Sequence, residues 1–429
     1  MTFLGGGLAF LDPLVENVHQ LLLLQGVSLA VLMAFAFRLL AGSRATQDKG
    51  VMTAVLLWAV ALRAVVLVGT SPTLSDDIFR YVWEGRVVAV GENPYLSPPT
   101  DPGLEALASS APEWEAINHP DLPAIYPPLS QAFFSLIASL RPDVLAFRIG
   151  AVAADLVLIF LLALLLKRRG GDPRLLVLYA WHPLAVLETA SSGHIEPLAM
   201  IPMAVGLLLL FSPAVTSPGT SAFGFFGLAA ATKWAGALPA LFAVRQVRSL
   251  RGRLCACSAL FFFFLVPWIF FLGEGVLPVG SLGVFLGNWI NFAPLHGFIA
   301  QVVGGHPARV VCLVIWMAWI THLWRREKDL IQASALAFLG LLLCSPVIHP
   351  WYGLWVVFWL PLFPRLPVLL LTGLLPLQYL AWVSANGGGP WQAPFWALLT
   401  VYGLPLALFG LIQRQRASGP GLFGQISRG

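Results

Sequence analysis

The residues of this chain best suited to chemistry are two adjacent carboxylates, Asp76 and Asp77, in a Ser-Asp-Asp run that opens the one long polar stretch of an otherwise apolar sequence. A carboxylate at the mouth of a membrane cavity can act as general base on a hydroxyl, and a dry wall or a second carboxylate beside it raises its pKa usefully. Three further groups complement the pair. Gly193-His194-Ile195-Glu196 carries a His-x-Glu pair, Lys233 stands almost alone in the apolar run 221–244, and His349-Pro350-Trp351-Tyr352 adds an imidazole and a phenol. An ionisable residue at membrane depth is costly and is a functional candidate for that reason, and a lysine there suits an anion such as a lipid phosphate. Each also has a plainer explanation. Asp76 and Asp77 fit the first turn of a surface helix, Lys233 fits a side chain snorkelling to the interface, and His194 with Glu196 fits a solvated hairpin. A lone His-x-Glu falls short of a zinc ligand set, and the sequence has no Gly-x-Ser-x-Gly elbow, phosphate-cradling glycine loop or His-Glu-x-x-His.

The elements that must position these groups follow from composition. Of 429 residues, 58% are hydrophobic and 10% charged, which excludes a soluble protein and predicts an all-α polytopic bundle facing lipid. Apolar runs long enough to span begin near Leu21, Val51, Val144, Arg174, Ile195, Leu254, Val310, Leu330, Leu366 and Ala393. Basic clusters at Arg44 with Lys49, at 167–174, 245–253 and 325–328, at Arg365, and at Arg414 with Arg416 mark cytoplasmic loops. All of them fall on one side if two short helices meet at Lys233, which gives about 13 crossings with the N terminus outside. The acids follow the opposite trend: of 20 carboxylates, only Asp48, Asp172, Glu327 and Asp329 lie in the basic loops. The net charge of +5 is thus a loop signature and not a nucleic-acid-binding face. Cys255, Cys257, Cys312 and Cys344 lie in apolar segments, too scattered for a ligand set or a disulfide framework. No removable signal peptide is expected, since no short apolar region with a small-residue cleavage site opens the chain.

One domain, 1–429, with one elaborate extracytoplasmic loop at 70–143 is the economical description. Within the loop, Ser75, Asp76 and Asp77 read as a helix start. Asp77, Arg80 and Glu84 then share one face and Ile78, Val82 and Ala89 another, which predicts an amphipathic helix lying at the membrane surface. Gly91 and Asn93-Pro94 end it, a proline-rich passage through Tyr126 follows, and 127–140 reads as an interfacial or re-entrant helix. Asp155, within a span, either bonds a neighbouring helix, with Arg63 and His182 as possible partners, or lines the cavity. Trp181, Trp289, Trp351 and Tyr352 read as interfacial belt residues, with stacking on a sugar ring as the other reading.

The passage SDDIFRYVWEGRVVAVGENPYLSPP, followed by IYPPLSQAFF, resembles the first luminal loop of the GT-C membrane glycosyltransferases. The likeness is to bacterial polyprenol-phosphate-mannose-type enzymes and to relatives of the GPI mannosyltransferase I catalytic subunit. SSGHIEPLAMIPMAVGLLLL, GLAAATKWAGALPALF and SPVIHPWYGLWVVFWLPLF resemble that group's successive outer hairpins, so the resemblance runs in order over 75–361. It implies a hexose donor on polyprenyl phosphate, mannose favoured, and a glycan, lipid or protein acceptor. It also implies a catalytic acid in the first loop, with Asp77 the better match by its spacing to Pro94-Tyr95 and Asp76 beside it. Lys233, His194, Glu196, His349, Tyr352, Arg80 and Tyr126 form the implied substrate-binding set. No resident cofactor is implied; adjacent acids where some members have Asp-x-Asp leave the second carboxylate's role, and any divalent metal, open. A preference for Arg over four Lys points to a GC-rich bacterial genome, hence to a bacterial plasma membrane with the site outside. Two rival functions stay in view: a transporter or lipid-linked sugar flippase with Asp155, Glu188 and Lys233 along its path, and a lipid-linked oligosaccharide ligase or polymerase, which usually places its large loop late in the chain.

Overall fold

The computed structural model describes residues 2–41, 49–212, 218–273 and 279–417. Arg44 and Asp48 of the first basic loop lie outside the described residues, as do the side chains of Lys49 and Arg416. Secondary structure among the described residues is helical apart from isolated bridge positions at Gly273, Asn291 and Val347, the last two paired. That is the arrangement lipid demands, since a backbone with no water to bond must satisfy itself.

Among the described residues, seven helices are long and apolar enough to cross a membrane: Val18–Leu40, Gly50–Gly69, Val144–Arg168, Leu250–Phe271, Gly305–Arg326, Leu366–Asn386 and Phe395–Gln415. An eighth span results if Pro183–Ser191 and Glu196–Leu210, bent by 119°, count as one. Pro128–Leu140, Pro294–Val303 and Leu330–Cys344 are apolar but shorter. One buried apolar cluster runs from Leu29 to Val401 and ties early and late spans together. Helices Pro218–Thr232 and Leu250–Leu265 approach closely at Gly227, where a Cβ would collide with the Leu260 carbonyl.

Three of the basic segments, at 167–174, 245–253 and 325–329, meet at one end of the bundle. Arg169 pairs with Asp329 at 3.0 Å, and Arg245 donates to the carbonyls of Trp324 at 2.8 Å and Glu327 at 2.7 Å. From that end the 25-residue helix Val144–Arg168, roughly 37 Å long at 1.5 Å per residue, reaches the first loop. Helix Leu330–Cys344 likewise leads from Asp329 to the segment holding His349.

Three breaks sit at the loop end. The chain passes through a π-helical turn, Leu187–Ser191, and a positive φ of 76° at Gly193 before helix Glu196–Leu210 starts. A Cβ at Gly193 would lie 2.6 Å from Ile78 Cδ1, so this break is seated directly on the loop helix. The expected break at Lys233 is present: helix Pro218–Thr232 stops, Lys233 is extended, and the 3-10 turn Trp234–Ala237 leads into Leu238–Ala243. The third is the 3-10 segment Leu375–Tyr379, at Pro376.

Two expectations for the loop need correction. Helix Asp77–Ala89 does not expose its polar face at a membrane surface: Arg80 is 7% and Glu84 1% exposed. The proline-rich passage folds back over that face, and helix Pro128–Leu140 packs alongside. Arg80 bonds Glu84 at 3.2 Å and the carbonyls of Asn118, His119 and Leu122, while Gln131 donates to the other Glu84 oxygen at 2.6 Å. The expected helix start is met only in part, with Asp77 in the first turn. Asp76 occupies the N-cap position without a side-chain capping bond, and the Asp77 amide reaches Ser75 Oγ at 3.4 Å. Asp155, by contrast, bonds its neighbours as the first reading of it expected. Arg63 Nε donates to Oδ2 at 2.5 Å and Tyr179 to Oδ1 at 2.7 Å, while His182 turns to Thr372.

Candidate active site

At the loop end a cavity of about 1620 Å³ opens between the first loop and the late helices. Asp76, Asp77, Arg80, Tyr126, Glu196, Lys233, His349 and Tyr352 all line it. Residues far apart in sequence thus share one space, larger than the roughly 300–1,000 Å³ that suits a single small ligand.

The acids are joined by a residue that sequence gave no means of finding. Asn118 Nδ2 donates to Asp76 Oδ1 at 2.8 Å and to Asp77 Oδ1 at 3.3 Å. The other Asp77 oxygen accepts from the Tyr126 hydroxyl at 3.2 Å. Burial, and then the charge of Asp76, push the Asp77 carboxyl up from 3.8 to about 6, against the opposing pull of Lys233 and Asn118. Burial also raises the Tyr126 phenol, which keeps it a donor. Lys233 lies across the Tyr126 ring, its Nζ 5.2 Å from the centroid, and forms an ion pair with Glu196, which is fully buried. An ammonium has three donors, so two remain beyond the Glu196 bond. Arg80, bonded to Glu84 and three carbonyls, holds the loop in place and contributes charge to the rim.

His194 does not reach the cavity. It is fully buried behind it and stacks on Trp351 at 3.9 Å; the opposite relation puts His349 against Trp351 at 4.4 Å, with Asn291 bonding its Nδ1 at 3.1 Å. Trp351, Tyr352 and Trp289 line the cavity, whereas Trp181 lies outside it, against Phe35. Phe285, Trp382, Trp391 and Phe395 complete an aromatic wall that no motif marked. Of the residues a transport path would use, Asp155 and Glu188 are fully buried away from the cavity, and Lys233 alone lines it. Among the described residues no group of three or more His, Cys, Asp or Glu side chains is arranged to hold a metal ion.

A helical membrane bundle with a raised-pKa carboxylate, an ammonium and aromatic rings around one cavity has the chemical equipment for group transfer onto a hydroxyl. Residues 6–248 match the MptA_B family, described as alpha-(1->6)-mannopyranosyltransferase, N-terminal domain, and the chain belongs to that family. It is thus a membrane glycosyltransferase of the mannosyltransferase, GT-C type. No curated protein and no solved structure matches the chain. The matched segment contains Asp76, Asp77, Asn118, Tyr126, Glu196 and Lys233, whereas His349, Tyr352 and the aromatic wall lie beyond it.

Proposed function

We propose that the protein transfers mannose from polyprenyl-phosphate mannose to a hydroxyl of a glycan, lipid or protein acceptor, at the extracytoplasmic face of a bacterial plasma membrane. The observation that carries this reading is Asp77: a cavity-facing carboxylate raised to about 6, bonded to Tyr126 and close enough to Lys233 for the ammonium to lower its pKa. A base poised near the working pH is matched to removing a hydroxyl proton. The sidedness is supported by three of the basic segments, at 167–174, 245–253 and 325–329, meeting away from the cavity.

In the proposed step the acceptor oxygen attacks the anomeric carbon of the donor from the face opposite the phosphate. Its proton passes to an Asp77 carboxylate oxygen, the new C–O bond forms, and the bond from the anomeric carbon to the phosphate oxygen breaks with inversion. The departing polyprenyl phosphate gains one negative charge, and the free Nζ donors of Lys233 stabilise it. Phosphate needs no proton to leave, so one base suffices. Asp77 afterwards returns its proton to water in the open cavity. Asp76 and Asn118 hold Asp77 in place and set its proton affinity. Asp77→Asn keeps the geometry and removes the base; transfer from polyprenyl-phosphate mannose in membranes is expected to fall about 10²- to 10⁴-fold. Wild-type activity in that variant would refute the assignment.

A further inference from the structure

Helical spacing puts Tyr81 one turn after Asp77 on the helix Asp77–Ala89, and its full burial means that its hydroxyl must find partners inside the protein. It has two. One is the Tyr126 hydroxyl at 3.1 Å, which itself donates to Asp77 Oδ2 at 3.2 Å, and the other is His194 Nδ1 at 3.4 Å. A line of polar contacts thus runs from the base, through the cavity wall, to a histidine that does not line the cavity. Its members are held by their surroundings. Tyr81 stacks on Phe134 at 4.8 Å and meets Tyr126 edge-on at 5.1 Å, the Tyr126 carbonyl accepts from Tyr95 at 2.6 Å, and His194 lies on Trp351. Gly193, through its positive φ and its seat on Ile78, brings His194 up against the same helix.

Three contacts need three protons, and two phenols and a neutral imidazole supply one each. Ionised Asp77 only accepts, so Tyr126 donates to it, Tyr81 donates to Tyr126, and His194 Nδ1 donates to Tyr81. With the ring proton on Nε2 instead, Tyr81 would turn to Nδ1, and the single Tyr126 proton would be wanted by both Tyr81 and Asp77. Burial raises the Tyr81 phenol, which keeps its proton for donation. Nε2 is left an acceptor, and Glu188 faces it with Oε2 at 3.6 Å, where the carboxyl in its neutral form supplies a donor. We propose that Tyr81 and His194 are positioning residues of the transfer reaction, aligning the Tyr126 hydroxyl proton on the Asp77 carboxylate. Both act through Tyr126, since neither lines the cavity. Donors in series polarise one another, so each link strengthens the bond at Asp77 by roughly 10–30%. The inference rests on the mannosyl-transfer reading, with Asp77 as the base.

The test reads the acid limb of the pH–rate profile in Tyr81→Phe, which keeps the ring and removes the donor. A carboxylate that loses hydrogen-bond support is more easily protonated, so the limb is expected to move up by roughly 0.2–0.7 pH unit. The sign discriminates. A Tyr81 that only accepted the Tyr126 proton would, once removed, release that proton to Asp77 and move the limb down, and a merely structural tyrosine would lower Tm without moving it. A ring-fluorinated tyrosine in place of Tyr81, a more acidic phenol of nearly the same shape, is expected to move the limb down, and it decides the matter where Tyr81→Phe does not fold. His194→Phe, which can keep the stack on Trp351 but lacks Nδ1, is expected to raise the limb by a smaller step. The charged and titratable groups around Asp77 (Asp76, Glu196, Lys233), around Tyr81 (Asp77, Glu196, Tyr352) and around His194 (Glu188, Lys233, His349) are the same in all of these variants. An unmoved or lowered limb in Tyr81→Phe, or an unmoved or raised one with the fluorinated ring, overturns the proposal; an unmoved or lowered limb in His194→Phe overturns it for His194. Infrared difference titration of the Asp77 carboxyl, identified by its loss in Asp77→Asn, reads the same midpoint without turnover. If wild type transfers nothing, the mannosyl-transfer reading fails, but a carboxyl midpoint raised in Tyr81→Phe still supports the aligned donors; an unmoved midpoint overturns them.

Discussion

Two of the buried ion pairs differ in their surroundings in the way that separates framework from chemistry. Arg63 and Asp155 are both fully buried, away from the cavity. Asp155 has both oxygens filled, by Arg63 and Tyr179, and Arg63 also reaches the Ala180 carbonyl at 2.6 Å, leaving its Nη2 as the unpartnered atom. Lys233 and Glu196 pair on the cavity wall, with Lys233 14% exposed and one Glu196 oxygen unpartnered. Burying a charge is expensive, and the structural pair recovers much of that cost through its bonds, with one Arg63 nitrogen left over. What distinguishes the cavity pair is its place: Lys233 is 14% exposed and lines the cavity, where its ammonium can meet a group that comes and goes.

The contrast can be broken from either side. The largest effect on stability is expected at the structural pair: Arg63→Met strands Asp155 and should cost about 3–5 kcal/mol in thermal or denaturant unfolding. Adding Asp155→Asn, which can still accept from Tyr179, should recover most of that stability and leave mannosyl transfer near wild type. Lys233→Met should instead lower kcat about 10²- to 10³-fold, by removing the counter-charge to the leaving phosphate. Here Lys233→Met combined with Glu196→Gln should restore stability but not transfer. If the double variant regains transfer, the cavity pair is framework as well. The smallest expected effect is at Asp76. Its charge is one of the terms raising Asp77, so Asp76→Asn should shift the acid limb of the pH–rate profile downward by less than about one pH unit, with little change at the plateau.

Much of the fold was legible because apolar runs, basic clusters and helix breakers are local signals. The isolated Lys233 in an apolar run marked a true break, and Gly91 with Asn93-Pro94 marked a true helix end. What local periodicity could not report was what covers a polar helix face. Arg80 and Glu84 read as solvated, yet they are buried because a passage some 40 residues downstream in sequence folds over them. The same limit hid Asn118, which reaches Asp77 across 41 residues, and the aromatic wall of Phe285, Trp382, Trp391 and Phe395. His194 illustrates the converse, since it lies on the expected hairpin but one layer behind the cavity, against Trp351.

The central claim is that Asp77 takes the acceptor's proton, and the pH dependence of kcat/KM for mannosyl transfer tests it most directly. Asp77 must be ionised to act, and its folded-state pKa lies above the ordinary 3.8, so activity should be full at neutral pH and fall to half near pH 6. The groups facing it are Asp76 and Glu196, which raise that midpoint, and Lys233 and Asn118, which lower it. An acid limb centred near pH 6 that vanishes, along with the activity, in Asp77→Asn is the predicted result. A profile flat down to the ordinary carboxylate range, or the same limb at full rate in Asp77→Asn, would contradict it.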